Sequence, residues 1–461
     1  MSSVVNNQIV GNRNQANRTS GSMRPPEILN VKLNPLVDKV KVDTSILDPV
    51  VSSSNHCRFI IPNNGILNKH SIIEVGFKTA NTDGRSSVFL PINIGAYACI
   101  KRAVFKIGST VVSEIDDFNI WMSGRTNYLR PEDNNTLHGI LSGRTLEYKL
   151  DNLGELQFKT NKGEFVNADG SINTFTQDEI NLIGNKQNFQ LSLKELFPFL
   201  GTMDLPLYAI KQQLSLELFF DPDFFCIDST ATAFGALTCV VDETKTKLVA
   251  DYYYYSEDIM KQEQVKYNNM TMDLLEYVIV RTSLSVADSK NFSRNLGGAG
   301  KIVNKVFVSN LTDVFDGSPK CIFGKFQSLA PSTTLVDGVV PPISVNLQYN
   351  DENLFPISCS NYMNLQSYTD LAMGIKNYIP IEQLTTKVAS GASLFNNKAI
   401  TSVDGRRGFY ILPINKNKRI NSKGIQLQQG IVFTEATTNT VWIEIQKTLK
   451  FNNGFVEVNY V

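Results

Sequence analysis

The chain has few of the residues that most often build metal or redox sites. Its 461 residues include only three histidines, and its six cysteines lie far apart without a Cys-x-x-Cys pair. A zinc site needs closely spaced Cys and His ligands, so this distribution argues against one. We interpret the cysteines as buried free thiols in a reducing compartment and expect no metal or other cofactor. They are Cys57, Cys99, Cys226, Cys239, Cys321 and Cys359.

An excess of one charge is also missing. Lys plus Arg and Asp plus Glu each total 44, which gives a formal net charge of zero. Proteins that bind nucleic acid mainly through its phosphates need a basic surplus, so we expect no sequence-specific nucleic-acid binding. A net charge near zero instead tends to promote association, which suits a subunit that assembles.

Long apolar stretches are absent as well. No run of about 18 apolar residues occurs, as a membrane-spanning helix would need. The first residues, MSSVVNNQIVGNRNQ, lack the basic and then apolar pattern of a secretion signal. We therefore expect a soluble protein that is made in the cytosol.

Alternating strand patterns, by contrast, are abundant. The composition is 42% hydrophobic with 27 Phe and 16 Tyr, residues that suit half-buried pleated surfaces. In residues 214–218 (LSLEL) every second side chain is apolar, the period of a strand with one buried face. The length allows two domains of about 200 residues, and the patterning predicts an all-β fold.

One strand-and-hairpin unit occurs twice. Residues 104–122 read VFKIGSTVVSEIDDFNIWM, and residues 344–365 read SVNLQYNDENLFPISCSNYMNL. In each, a strand meets a polar turn, an apolar return strand follows, and a short segment with helical spacing comes next. A repeated supersecondary unit in an all-β sequence predicts two similar β domains in tandem.

The expected domain organisation has four parts. Residues 1–27 are polar, carry Arg13, Arg18 and Arg24 with no acid before Glu27, and form a flexible arm. The first β domain covers 28–255 and the second covers 271–461. Between them, an acidic-led segment within 256–270 predicts a linker helix capped by Ser256.

Candidate catalytic motifs are weak. The glycine loop Gly297–Lys301 lacks the first glycine and the final Ser or Thr of a phosphate-binding loop, because Asn295 and Ile302 stand there. Asp221 and Asp223 flank a proline after a strand and predict a turn. No histidine accompanies a nucleophile-elbow pattern. We expect no catalytic residues and interpret the protein as a non-enzyme.

Four segments together resemble the double jelly-roll major capsid proteins of icosahedral DNA viruses, especially the polinton-like virus and virophage branch. They are 203–220 (MDLPLYAIKQQLSLELFF), 247–280 (KLVADYYYYSEDIMKQEQVKYNNMTMDLLEYVIV), 408–427 (GFYILPINKNKRINSKGIQL) and 449–461 (LKFNNGFVEVNYV). They follow the family's order along the chain. The resemblance implies two tandem eight-stranded jelly-roll barrels with short inserted helices.

The same resemblance implies a function in the virion. The protein would form homotrimeric capsomers of pseudo-hexagonal outline that tile an icosahedral shell, after synthesis and assembly in the host cytoplasm or a virus factory. Its partners would be neighbouring capsomers and penton and minor capsid proteins. Arg13, Arg18 and Arg24 of the arm would lie on the inner side, toward adjacent capsomers, an inner membrane or the genome.

Two other classes of protein remain as alternatives. A carbohydrate-binding or carbohydrate-cleaving β-sandwich needs exposed aromatic platforms beside carboxylates, and only Trp121 and Trp442 are available as tryptophans. Both lie in amphipathic segments that predict packing. A minor capsid or spike protein is the second alternative, which the tandem domains disfavour.

Overall fold

The structure is a computed structural model that describes most of two strand-rich regions. The described residues are 41–81, 87–89, 94–126, 141–142, 148–150, 156–159, 165–166, 188–201, 204–222, 226–228, 237–267, 271–312, 344–355, 365, 368–369, 372, 409–414, 419–431 and 436–460. Among them, no helix has both the length and the apolar character needed to cross a membrane.

Strands dominate both halves of the chain. The first half contains β1 (Lys41–Leu47), β2 (Val51–Ser52), β3 (His56–Ile61), β4 (Ile66–Leu67), β5 (Ile72–Asn81), β6 (Ser87–Phe89), β7 (Ile100–Ile107), β8 (Thr110–Asp116), β9 (Tyr148–Leu150), β10 (Leu156–Lys159), β11 (Phe165–Val166), β12 (Phe189–Ser192), β13 (Leu205–Pro206), β14 (Leu214–Phe220), β15 (Cys226–Asp228) and β16 (Leu237–Tyr254). The second half contains β17 (Thr271–Leu284), β18 (Phe292–Gly297), β19 (Val303–Thr312), β20 (Ser344–Tyr349), β21 (Glu352–Asn353), β22 (Phe409–Pro413), β23 (Ile425–Gly430), β24 (Thr437–Asn452) and β25 (Phe455–Tyr460).

The helices are short connections between strands. The α-helices whose bounds lie in the described part of the chain are α1 (Phe118–Thr126), α2 (Leu193–Leu196) and α3 (Glu257–Tyr267). Single 3₁₀ turns occupy Gly95–Cys99, Pro198–Gly201, Leu207–Ala209 and Asp288–Asn291. Helix α3 begins one residue after Ser256, whose carbonyl accepts a hydrogen bond from Met260 N at 3.0 Å, and it connects β16 to β17.

Both halves have the same strand order. In the first, β1–β16–β5–β12 form one sheet and β3–β14–β7–β8 the other, with the short strands β2, β4 and β13 added to these sheets. In the second, the sheets are β17–β24–β19–β22 and β18–β23–β20–β21. Counting main strands along each half, both give the orders 1-8-3-6 and 2-7-4-5, the two-Greek-key connectivity of a jelly roll. The predicted pair of jelly-roll barrels is therefore confirmed.

The repeated hairpin noted in the sequence is the fourth and fifth strand of each barrel. It forms β7–β8 in the first barrel and β20–β21 in the second. Left-handed backbone at Gly108 (φ 61°) and at Asn350 and Asp351 (φ 50° and 61°) closes the two turns, as tight hairpins require. The repeat was readable because a hairpin is a local structure.

Alternating side chains fill the barrel cores. Leu214, Leu216 and Leu218 of β14 are completely buried. The alternate residues Val345 and Leu347 of β20 are completely buried as well. The opposite face of β20 has one exception, because Asn346 is buried too. Its side chain donates to Phe355 O and accepts from Phe355 N, both at 3.3 Å, which joins β20 to the chain after β21.

The sequence of residues 222–245 is typical of a long loop between strands, and this interpretation is wrong. Strand β15 lies inside that range, and β16 already begins at Leu237 and pairs with β5 from Asn81 onward. A register shift between Asp242 and Lys247 interrupts this pairing. The shift breaks the two-residue alternation that reveals a strand in sequence. Residues 386–408, whose sequence also predicts a long loop, lie outside the described residues.

Candidate assembly interface

The two barrels meet through helix α1, which follows the hairpin β7–β8. Asp117 adopts a left-handed φ of 49° and turns the chain sharply out of β8. Its carbonyl then accepts hydrogen bonds from Ile120 N at 3.1 Å and Trp121 N at 3.0 Å. The spacing of Phe118, Trp121 and Met122 places three buried apolar side chains on one side of the helix.

Aromatic rings from α1 pack on the outward side of the second barrel. The Trp121 ring lies edge-on to Tyr277 of β17, with the ring centroids 5.2 Å apart. It is tilted against Phe307 of β19, with the centroids 6.0 Å apart. Phe307 in turn contacts Phe409 of β22 at 6.4 Å. Residues of both barrels form one continuous apolar cluster here. We call this contact region the inter-barrel interface.

A glycine allows the closest approach within this interface. A Cβ atom on Gly124 of α1 would lie 2.1 Å from Phe409 Cδ2 and 2.3 Å from its Cε2. Contacts below 3.0 Å force a displacement, so only glycine lets α1 rest on the Phe409 ring. The helix therefore sits against β22 without an intervening side chain.

A partly buried hydrogen bond also joins the barrels. Trp442 lies on β24 and is fully buried, and its Nε1 donates to the Asp116 carbonyl at the end of β8 at 2.8 Å. The indole thus adds a directional contact to its large apolar area. This bond fixes where the end of β8 lies on the second barrel.

Ion pairs border the apolar contact. Arg281 of β17 donates from Nε to Asp117 and from Nη2 to Asp116, both at 2.7 Å. Burial alone would lower the pKa of Arg281, but the hydrogen bonds to Asp117 and Asp116 raise it above its usual value. Because the side chain is 44% exposed, solvent screens these pairs, and their main effect is orientation.

Beneath the aromatic layer, Tyr277 hydrogen-bonds within its own sheet. Its hydroxyl donates to Glu444 Oε2 at 3.1 Å. Burial, followed by the Glu444 charge, raises the pKa of Tyr277 well above its ordinary value, so the phenol remains protonated and the hydrogen bond persists at neutral pH. The hydrogen bond to Glu444 therefore fixes the orientation of the Tyr277 ring that contacts Trp121.

The closing hairpin β24–β25 makes a second contact with the first barrel. Lys211 N donates to Gly454 O at 2.8 Å, and Val456 N donates to Gln212 Oε1 at 2.7 Å. Gly454 has a φ of 87° and leaves no room for a Cβ, which would lie 2.6 Å from Lys211 Cγ. Two separated contacts hold the barrels in one relative orientation.

Several residues that the sequence singles out lie in the described part of the chain. Trp121 and Trp442 are packed, as predicted, and the structure brings both into the inter-barrel interface. Asp221 directly follows β14, before a turn at Pro222, and accepts a hydrogen bond from Asn119 Nδ2 at 2.9 Å. The glycine loop after β18 has left-handed backbone at Gly297, Gly298 and Gly300 and connects β18 to β19.

The remaining candidates divide between buried residues and residues outside the described part. Cys57 and Cys99 are buried free thiols, and burial raises the pKa of the Cys57 thiol to about 12, which keeps it unreactive. The side chains of the other four cysteines, His138 and the arm arginines Arg13, Arg18 and Arg24 lie outside the described residues.

Sequence reasoning missed two components of the interface. Gly124 gives no signal in the sequence beyond being a glycine in a helical segment, since Phe409 lies in the other half of the chain. The Arg281 pairs were also missed, although the Asp116-Asp117 dipeptide directly before a helix was visible in the first copy of the repeat. In the second copy, no acidic pair directly precedes the segment with helical spacing.

Two barrels of one strand order, joined rigidly in a single chain, define a double jelly-roll protein. Solved structures with this fold include the PBCV-1 virus capsid, at 10% identity, 92% coverage of this chain, 97% of that chain and a TM-score of 0.52. The Faustovirus major capsid protein matches at 8% identity and a TM-score of 0.51, with 90% of this chain and 91% of that chain covered. A chain of the Sputnik virophage matches at 10% identity and a TM-score of 0.51, with 91% of this chain and 88% of that chain covered. No protein-family model and no curated protein matches the sequence.

Proposed function

We propose that this protein is the major capsid protein of an icosahedral DNA virus and that it assembles as a homotrimeric capsomer. The observation that supports this most directly is the inter-barrel interface, which joins two jelly-roll barrels of the same strand order into one rigid block. The similar structures come from a virus capsid, a major capsid protein and a virophage. They share the fold, and the capsid function is our inference from it.

The geometry of a trimer explains why two barrels per chain are useful. Three chains around a closed threefold axis present six barrels, so the outline approaches a hexagon that can tile a flat facet. An obligate trimer of this kind should bury more than about 2,000 Å² at each subunit contact. Contacts between capsomers can be smaller, because many of them act together.

The sequence-based domain boundaries fit this proposal. We propose barrels over 28–255 and 271–461, a linker helix within 256–270 and an arm over 1–27. The partners would be neighbouring capsomers and penton and minor capsid proteins, in a virion assembled in the host cytoplasm or a virus factory. No observation favours the carbohydrate-binding alternative, because Trp121 and Trp442 are buried and unavailable as sugar platforms.

The capsomer proposal is tested by the mass and shape of the purified protein. Light scattering is expected to give three times 51.4 kDa, and negative-stain images are expected to show particles with a hexagonal outline. A dilution series serves as the control, since an obligate trimer keeps its mass at low micromolar concentration. A protein that stays at 51.4 kDa throughout would contradict the proposal.

A second expected result concerns the arm. Arg13, Arg18 and Arg24 carry positive charge in a segment without acids before Glu27, and we propose that they bind a neighbouring capsomer, an inner membrane or the genome. Deleting residues 1–27 should leave trimers intact and impair the formation of closed shells. Replacing the three arginines with glutamine separates charge from length. Shells of normal size and heat resistance from the deletion variant would refute this role.

A further inference from the structure

A cleft opens at the end of the first barrel where β1 begins. It lies between β1, the end of β16, the turn that joins β3 to β4, the 3₁₀ turn Leu207–Ala209 and the start of α3. We call it the Tyr254 cleft, after the residue of β16 that lines it beside Asp43, Tyr208 and Met260. Its volume of about 650 Å³ falls within the ~300–1,000 Å³ that is usual for binding sites.

Tyrosine rings give the cleft its chemical character. Tyr208, Tyr254 and Tyr255 all line it, and each is half-buried. Tyr254 lies directly on the backbone of Gly65, where a Cβ atom would be 2.6 Å from Tyr254 Cε1. Tyr255 packs edge-on against Tyr253, with the ring centroids 5.9 Å apart. These contacts hold the rings in place, and grooves lined by such aromatic rings bind proline-rich segments.

Two opposite charges on β1 flank the rings. Lys41 and Asp43 lie two residues apart in the strand and both line the cleft, so they project from the same side of β1. Lys41 Nζ lies 6.0 Å from the centre of the Tyr254 ring. Burial, and then the charge of Asp43, raise the pKa of Tyr254 above its ordinary value, so the phenol stays protonated. A complementary ligand therefore carries a cation for Asp43, an anion for Lys41 and apolar groups between them.

One short segment of the chain has this composition. Residues 24–27 read Arg-Pro-Pro-Glu, and consecutive prolines favour a polyproline II helix with three residues per turn. In that helix Arg24 and Glu27 project from the same side, about 9 Å apart along the axis. Lys41 and Asp43 lie about 7 Å apart along β1, a difference that long side chains can span.

Connectivity favours the chain's own arm as the occupant. The described chain begins at Lys41, which itself lines the cleft, and only residues 28–40 separate Lys41 from Glu27. A tether of this length reaches about 45 Å when extended. It also holds the segment near the cleft at an effective concentration in the millimolar range, so even a weak contact would be occupied.

We propose that the Tyr254 cleft binds residues 24–27 of the chain's own arm. Arg24 pairs with Asp43, Glu27 pairs with Lys41, and the two prolines between them pack against the tyrosine rings. The contact needs a single chain, so it goes beyond the proposed capsomer and does not depend on it.

This contact fixes the point from which the rest of the arm extends. Arg24 anchors the arm to the first barrel. Arg13 and Arg18 precede the anchor, and they stay available to the partners proposed above for the arm.

Zero-length cross-linking of the full-length protein tests the proposal. A water-soluble carbodiimide condenses a carboxylate with an adjacent amine and releases water, so it is expected to join Glu27 to Lys41 by an amide bond that peptide mass spectrometry identifies. The product should migrate as a single chain of 51.4 kDa in a denaturing gel. A product of twice that mass would mean that the arm of another copy fills the cleft, and it would overturn the assignment to the chain's own arm.

Substitutions separate the specific contact from mere closeness along the chain. Arg24→Gln should lower the yield of the Glu27–Lys41 product about three- to five-fold, and Asp43→Asn should lower it equally. The double variant should lower it no further, because one pair is lost in all three proteins. Lys32→Gln, which removes the same charge within the tether, is the matched control and should leave the yield unchanged.

Equal yields for Arg24→Gln and Lys32→Gln would overturn the proposal, as would the absence of a Glu27–Lys41 product. Both substituted residues lie outside the described barrels, so their effect does not depend on the folding of a barrel variant. The readout is also separate from the capsomer. A protein that stays monomeric in light scattering can still give the product within one chain, and a trimer can fail to give it.

Discussion

Gly124→Ala is expected to lower the free energy of unfolding by at least about 2 kcal/mol, although alanine normally stabilises a helix relative to glycine by about 0.5–1 kcal/mol. The new Cβ would lie 2.1 Å from Phe409 Cδ2. Phe409 is buried and packs on Phe307, so its ring has little space to move. Either α1 lifts from the second barrel or the aromatic layer rearranges.

Denaturant unfolding measures this effect, and Gly201→Ala is the control. A Cβ on Gly201 would have its nearest neighbour at 3.8 Å, an ordinary van der Waals distance. The control should therefore change the unfolding free energy by less than about 0.5 kcal/mol. Equal stabilities for the two variants would mean that α1 does not rest on Phe409.

Local features of this fold were predictable from the sequence, and pairings between distant segments were not. The hairpin β7–β8 could be predicted because its turn and both strands are adjacent in the chain. The pairing of β1 with β16 joins Lys41 to Tyr254, and no local pattern specifies such a partner. For a jelly roll most sheet neighbours are of this second kind, so the topology came from family resemblance.

The inter-barrel interface shows the same limit at the level of side chains. The sequence indicated that Trp121 and Trp442 are packed, because each lies in an amphipathic segment. It could not indicate that both pack at one interface, with Trp121 against Tyr277 and Phe307.

Phenylalanine at position 442 is expected to destabilise the protein more than phenylalanine at position 121, by about 1–3 kcal/mol. Both tryptophans are buried in the same interface, so the two substitutions remove similar apolar area. They differ in one respect. Trp442 Nε1 donates to Asp116 O at 2.8 Å, while among the described residues no acceptor lies within hydrogen-bonding distance of Trp121 Nε1.

Trp442→Phe leaves the partly buried Asp116 carbonyl of β8 without its donor, whereas Trp121→Phe removes a buried donor that had no partner among the described residues. The first change leaves the desolvation cost of Asp116 O without a compensating hydrogen bond. In the second, removal of the unpaired N–H offsets part of the packing energy that is lost. Chemical denaturation of the two variants measures the difference, and equal losses would show that the indole hydrogen bond contributes nothing. Because that bond connects the barrels, Trp442→Phe should also weaken their coupling. Trp442→Phe should therefore be more prone than Trp121→Phe to unfold in two separate transitions, one for each barrel.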